Sequence, residues 1–212
     1  MEPHMKNRLG WRSWATGALV LAAVTACADS GADPGPKPSP TALSSTPTTP
    51  SSSAPPASPS DQAAADATDL VRRYFATLDE IRSSETSTLA ELKTVTVSTQ
   101  LTAQTKLVKE GRRRGLRQVG STRIIQLKVQ TVNLDNSHPS AGRVPTVAVD
   151  VCWDVSGADL VDENGQSVVS PDRADRGWTR YNVANYHWSE HPKSGWRIAS
   201  SQDLKESPCA GS

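Results

Sequence analysis

Residues 28–60 contain nine Pro, nine Ser and four Thr, and Leu43 is the only large aliphatic side chain among them. Ordering a backbone costs about 1–2 kcal/mol per residue, and a segment of this composition has too little apolar surface to offset that. The tract is therefore expected to stay unfolded, and any fold must be built from residues 61–212. Its proline content favours the extended polyproline II conformation, at about 3.1 Å per residue. Fully extended it would reach on the order of 100 Å, and as a flexible coil nearer 30 Å. Ser and Thr interleaved with Pro suit an O-glycosylated stalk as well as an unmodified spacer.

The residues before the tract read as an export signal. Lys6, Arg8 and Arg12 precede an uncharged apolar run from Trp14 to Thr25. A bilayer span needs about 20 helical residues, so this run is too short to cross. Met5 offers an alternative start. The run closes on Val24-Thr25-Ala26-Cys27, which resembles a bacterial lipobox. That resemblance implies cleavage between Ala26 and Cys27 and a diacylglyceryl group on the Cys27 thiol. The membrane would then be the first partner, and the chain would sit on the extracytoplasmic face of a bacterial cell membrane. Two acyl chains meet the requirement for stable anchoring. The expected organisation is a signal peptide over 1–26, the lipidated Cys27 and tether over 27–60, and one globular domain over 61–212.

Charge excludes some classes. The chain has 23 Lys and Arg against 22 Asp and Glu, which argues against a wholly basic nucleic-acid binder. A mean hydropathy of −0.48 excludes a polytopic membrane protein.

Within 61–212 the hydrophobic period changes once. Leu70, Val71, Tyr74, Phe75, Leu78 and Ile81 recur at helical spacing behind Ala63, Ala64 and Ala67, which predicts a helix capped by Ser60 or Asp61 and ended by Ser83-Ser84. A short helix is expected around Leu89–Lys93, broken by the β-branched run Thr94–Thr99. Ser98 is expected to cap a third helix carrying Leu101, Thr105 and Val108, with Gly111 and Gly115 at its frayed end. From Leu116 the period is two. Leu116–Asp135 reads as one long strand, with Ile125, Leu127 and Val129 on one face. Val132 and Leu134 fall out of phase, as after a bulge. Val147, Val149, Val151, Trp153 and Val155 alternate with Ala148, Asp150, Cys152 and Asp154, the pattern of a half-buried strand. Asn164-Gly165 marks a hairpin, and Pro171–Arg176 a charged loop. Trp178–Trp188 and Trp196–Ser201 complete the strands. Helices first and an antiparallel sheet after them define an α+β fold.

This order resembles the nuclear transport factor 2-like superfamily over about residues 65–202, on the leading helix with Tyr74-Phe75, the long strands and the closing Ser194-Gly195-Trp196-Arg197-Ile198. It implies N-terminal helices packed on a curved antiparallel sheet that forms a cone. Val119-Gly120-Ser121-Thr122, Val149–Val155 with Cys152, the hairpin Val161–Val169, Pro171–Arg176 and Pro208-Cys209 also resemble a group of actinobacterial envelope lipoproteins. That resemblance implies architecture and location, not an activity.

Of the three cysteines, the lipid would consume Cys27, leaving Cys152 and Cys209. Two spare thiols in an exported domain read as one disulfide. It would pin the C-terminal tail to the polar side of the strand over 146–155.

His187-Trp188-Ser189-Glu190-His191 matches the zinc-peptidase pattern H-x-x-E-H, whose chemistry needs a helix. Pro192 turns His191 away from helical geometry, and in a strand the two histidines would stand roughly 13 Å apart. No metal and no cofactor is expected. Asp150 and Asp154 are too far apart in one strand for a glycosidase pair, again roughly 13 Å. One of them could be a lone base in a cone pocket, or both could be solvated acids. Lys106, Lys109, Arg112, Arg113, Arg114, Arg117 and Arg123 crowd a short segment with Glu110 its only acid. Such a patch could dock anionic wall polymer, lipid head groups or an acidic partner face, or could be a solvated helix end. Trp153, Trp178, Trp188 and Trp196 suit a core better than a cleft. No Walker loop, G-x-S-x-G, S-x-x-K or C-x-x-C string is present. The expectation is a non-catalytic envelope lipoprotein whose tethered domain binds or scaffolds another component, with catalytic residues unknown. The competing expectation is a small-molecule binder or isomerase- or dehydratase-like enzyme, with Asp150, Asp154 or His187 in the cone pocket.

Overall fold

The structure is a computed structural model that describes Ala57–Glu206 and Cys209. The signal peptide, Cys27 and nearly all of the tether lie outside the described residues.

Helix α1 runs Pro59–Ser83 and begins earlier than the sequence pattern indicated. The cap is Ser58, not Ser60 or Asp61. Its Oγ accepts from the Asp61 N–H at 3.1 Å, and the Asp61 carboxylate accepts from the Ser58 N–H at 3.3 Å. This reciprocal capping box satisfies two orphan donors at once. Pro59 occupies the first helical position, where a missing N–H is harmless and its fixed φ is helical. The last residues assigned to the tether thus belong to the helix. Ala63, Ala67, Leu70, Val71, Tyr74, Phe75, Leu78 and Ile81 form its buried stripe.

A 3₁₀ turn (Leu89–Glu91) leads into the short α2 (Leu92–Val95), and the chain breaks at Thr96-Val97. Helix α3 follows over Ser98–Arg113. Ser98 does not cap it: Val97 holds the cap position without a side-chain bond, and Ser98 has φ 55°. The segment is held instead by pairing with the sheet edge, where the Val97 N–H donates to the Ile198 carbonyl at 2.9 Å.

The expected single strand after Gly115 is two: β1 (Arg117–Gly120) and β2 (Arg123–Asn133). Gly120 turns the chain between them with φ 77°, and its Cα packs so close to the Gly157 carbonyl that no Cβ would fit. β1 pairs only with β4 (Ala158–Val161). β2 joins β3 (Thr146–Asp154), β5 (Arg176–Asn185) and β6 (Trp196–Leu204) in an open, fully antiparallel sheet of order β2-β3-β5-β6. Register shifts at Ile124/Gln126 and Val129/Thr131 in β2, and opposite Asn182/Val183 at Ala199 in β6, bend these strands. The first shift changes the predicted face. Ile124 and Leu127, not Ile125, pack on the core with Val132 and Leu134. Val129 remains 40% exposed. β5 ends at Asn185, so Tyr186–Trp188 belong to a turn rather than a strand.

The core lies between α1 and the sheet. Val147, Val149, Val151, Val183 and Ile198 are fully buried beneath the helices, with Trp196 only 1% exposed. Tyr74, Phe75 and Tyr181 make a three-ring cluster with edge-on contacts at 5.5–5.8 Å between centroids. Among the described residues every core residue lies between Ala63 and Ile198, so this part of the chain carries a core of its own. The fold is α+β: helices on one face of an antiparallel sheet, which stays open.

Candidate functional site

The carboxylates of β3 point away from the helices. Asp150 is 3% exposed and takes both donors of Arg180, Nε at 2.6 Å and a terminal nitrogen at 2.8 Å. Asp154 is fully buried between Arg123 and Arg176, each at 2.9 Å from the same oxygen. Hydrogen bonds from Ser156, then those two guanidinium groups, hold its carboxyl well below the usual carboxylate range. The expected half-buried strand is thus buried on both sides. Neither acid faces the helix-covered side, where a cone pocket would lie. Both acids serve as acceptors in these ion pairs, which tie β3 to the strands on either side of it.

Cys152 shares that outer face and is fully buried. The structure brings Cys209 to it with Cα atoms 6.1 Å apart, within the span a disulfide requires. Trp178, its cross-strand neighbour, is 5% exposed with the Lys128 ammonium 4.5 Å from the ring centroid. Trp153 lies on the opposite face and donates to Thr179 Oγ1 at 3.0 Å. Trp188 packs edge-on against Trp196 at 5.7 Å. The four indoles therefore line no common cleft.

His187 and His191 are exposed in the turn after β5. Asn185 organises that turn. Fully buried, it accepts from the His187 N–H at 3.0 Å and donates to the His191 carbonyl at 2.8 Å. The H-x-x-E-H string is a loop held by an asparagine. Among the described residues no three metal-binding side chains gather, and no helix is long and apolar enough to cross a membrane.

The basic segment divides. Arg112 folds back onto the end of α1 and donates to the carbonyls of Ile81, Ser84 and Ser87 at 2.7–3.1 Å, so it closes that helix end. Arg123 belongs to the Asp154 clamp. Arg113 pairs with Glu110 one turn away but stays 74% exposed. Arg114 and Arg117 are exposed on the turn into β1 and on β1 itself. Lys106, Lys109 and Arg113 project from α3 beside Lys93 of α2. Together they rim a groove of about 660 Å³ whose floor includes Leu89 and Leu101. Among the described residues Lys93, Lys106 and Lys109 have no carboxylate within 4 Å.

Two smaller cavities open near the ends of α1 and α3. One, about 400 Å³, is lined mainly by apolar side chains of α1, α3 and β4, with Leu116, Val155 and Val169. The other, about 370 Å³, lies over the aromatic cluster and reaches Thr179 and Asp203. Arg82, Thr122, Val155 and Arg173 line both, so the two adjoin. Burial pushes the Tyr74 hydroxyl up to about 12, opposed by the hydrogen bond from Gln100, and raises that of Tyr181 further. Sequence reasoning singled out neither Arg82 nor Tyr181. The available signal was a cation four residues after Leu78 and seven after Phe75, on an otherwise apolar stripe.

No family model and no curated protein matches this chain. Solved structures do. The intermembrane space region of the chloroplast protein ARC6 is similar at 23% identity and a TM-score of 0.45, over 66% of this chain and 95% of that one. Mtr2 is similar at 11% identity and a TM-score of 0.37, over 68% of this chain and 99% of that one.

Proposed function

We propose that this chain is a lipid-anchored envelope lipoprotein of the actinobacterial type. Its domain, a nuclear transport factor 2-like cone, docks an acidic segment of another envelope component. In this reading residues 1–26 are removed, Cys27 carries the diacylglyceryl group, and residues 28–57 hold the domain off the extracytoplasmic membrane face. The observation that carries the docking role is the α3 groove. Lys93, Lys106, Lys109 and Arg113 surround an apolar floor of Leu89 and Leu101. A bare cationic surface suits any polyanion, but a recess with apolar floor and cationic rim suits an amphipathic protein segment with acidic flanks. The paired state of Asp150 and Asp154 and the exposed position of His187 weigh against the isomerase-like alternative.

Two experiments test the reading separately. Metabolic labelling with a palmitate analogue should mark the wild type in the membrane fraction and fail for Cys27→Ala. Label retained on the variant contradicts the anchor. Charge reversal by Lys106→Glu with Lys109→Glu should reduce co-purification of the partner from solubilised envelopes at least tenfold, with the fold intact by circular dichroism. Unchanged recovery contradicts the groove.

A further inference from the structure

The adjoining cavities carry a second binding role, independent of the α3 groove. The 400 Å³ chamber is walled by Leu107 and Val108 of α3, Leu116, Leu160 of β4 and Val169. Its size falls in the range of small-molecule sites, and its lining is predominantly apolar as theirs is. Leu107 is 57% exposed although its helix neighbour Val108 is buried, so the apolar wall continues to the surface.

The charged side chains at this chamber are mostly spoken for. Arg112 is bound to three carbonyls. Arg173 donates to the Val155 and Ala158 carbonyls at 3.0 Å and to Asp175. Asp159 accepts from the Leu160 N–H and from Ser167. Arg82 is different. Its one side-chain partner among the described residues is the neutral Gln104 Oε1 at 2.9 Å, and no carboxylate there lies within ion-pair distance. It stands at the junction of the two cavities, half-buried, with free guanidinium donors. Beyond it the second cavity is lined by Gln104, Thr179, Tyr181 and Asp203, whose carboxylate accepts from Thr179 Oγ1 at 2.8 Å.

We propose that the cleft binds an amphipathic monocarboxylate, with its carboxylate on Arg82 and its hydrocarbon body between α3 and β4. Arg112 also lacks a carboxylate there, but its terminal nitrogen is held by three carbonyls and its Nε is buried, so Arg82 is the guanidinium open to one negative charge. With Asp203 in the second cavity, the ligand's carboxylate stays at the junction and its hydrocarbon body takes the other chamber. The apolar walls exclude sugars and polyphosphates, whose hydroxyl and phosphate groups would lose water without replacement. Burial of the chain supplies affinity, and the charge-assisted bond fixes which end enters.

Dodecanoate and the neutral dodecanol are suitable probes, titrated calorimetrically into residues 57–212, which carry the whole core, without detergent. Dodecanoate should bind one per chain. Arg82→Gln should weaken it at least tenfold and leave dodecanol within twofold, while Arg82→Lys should recover most of the loss. Leu160→Trp, which fills the chamber, should abolish both. Lys106→Glu with Lys109→Glu should change neither. No saturable dodecanoate binding below millimolar concentration overturns the proposal. So does an Arg82→Gln variant, folded by circular dichroism, that binds dodecanoate within twofold of the wild type. So does binding that follows the lysine variant instead of Arg82.

Discussion

Strand β3 is buried on both faces, and the two faces are closed by different physics. On the helix side Val147, Val149 and Val151 are covered by α1 and the Tyr74, Phe75, Tyr181 cluster, a burial made of apolar area. On the other side Asp150, Cys152 and Asp154 are covered by Arg123, Arg176, Arg180, Trp178 and Cys209, a burial made of ion pairs and a cross-link. Alternation of polar and apolar residues therefore does not identify a solvent face. A polar face closes when neighbouring strands supply the counter-charges, and paired buried carboxylates are then structural parts. The outer clamp holds the sheet, while the cationic groove proposed for docking lies on the helical side.

Each face of β3 can be loosened separately. Trp196→Ala, deep on the helix side, should cost about 3–5 kcal/mol in urea unfolding, as for large aromatic truncations generally. Cys209→Ser should cost less, roughly 2–4 kcal/mol, because a loop spanning 57 residues is freed in the unfolded chain. Reducing agent should reproduce that loss in the wild type and add nothing to the variant.

Asp154→Asn should have a smaller effect at neutral pH and a distinctive one in acid. The folded-state carboxyl titrates below its unfolded value, so its contribution is present above about pH 4. As pH falls further the unfolded chain takes up the proton first, and that contribution is lost. Stability of the wild type should therefore drop below about pH 4 more steeply than that of Asp154→Asn, as followed by thermal melts across pH. The smallest change is expected at the α3 groove: Lys106→Glu with Lys109→Glu should alter stability by less than about 0.5 kcal/mol. A larger loss would mean that these lysines belong to the fold and not to a docking surface.

The helix order, the α1 stripe and the strict alternation of β3 were legible because each is a local period that tertiary contacts reinforce. Most of the failures were non-local, but the helix start was a local cap that the tether's composition masked. Pro59 looked like tether, since only the Ser58–Asp61 box makes it a helix start. Leu116–Asp135 looked continuous because a period cannot register the turn at Gly120, which the nearby Gly157 carbonyl requires. Arg112 read as one more surface charge among seven, yet its acceptors lie 25–31 residues away at the end of α1. Arg82 went unnoticed because no motif contains it; its meaning comes from the carboxylates it lacks. The Cys152–Cys209 proximity was accessible from arithmetic alone, since an anchor at Cys27 leaves two thiols.

We propose that the cationic groove of α3 meets an acidic protein segment in the envelope. Photo-cross-linking in intact cells addresses it most directly, with a photoreactive residue at Lys109 and, for comparison, at Lys128 on the outer sheet face. One discrete adduct is expected from position 109, with acidic flanking sequence at the cross-linked site, and none from position 128. Adducts from position 128 alone, or lipid as the sole product at position 109, would contradict it.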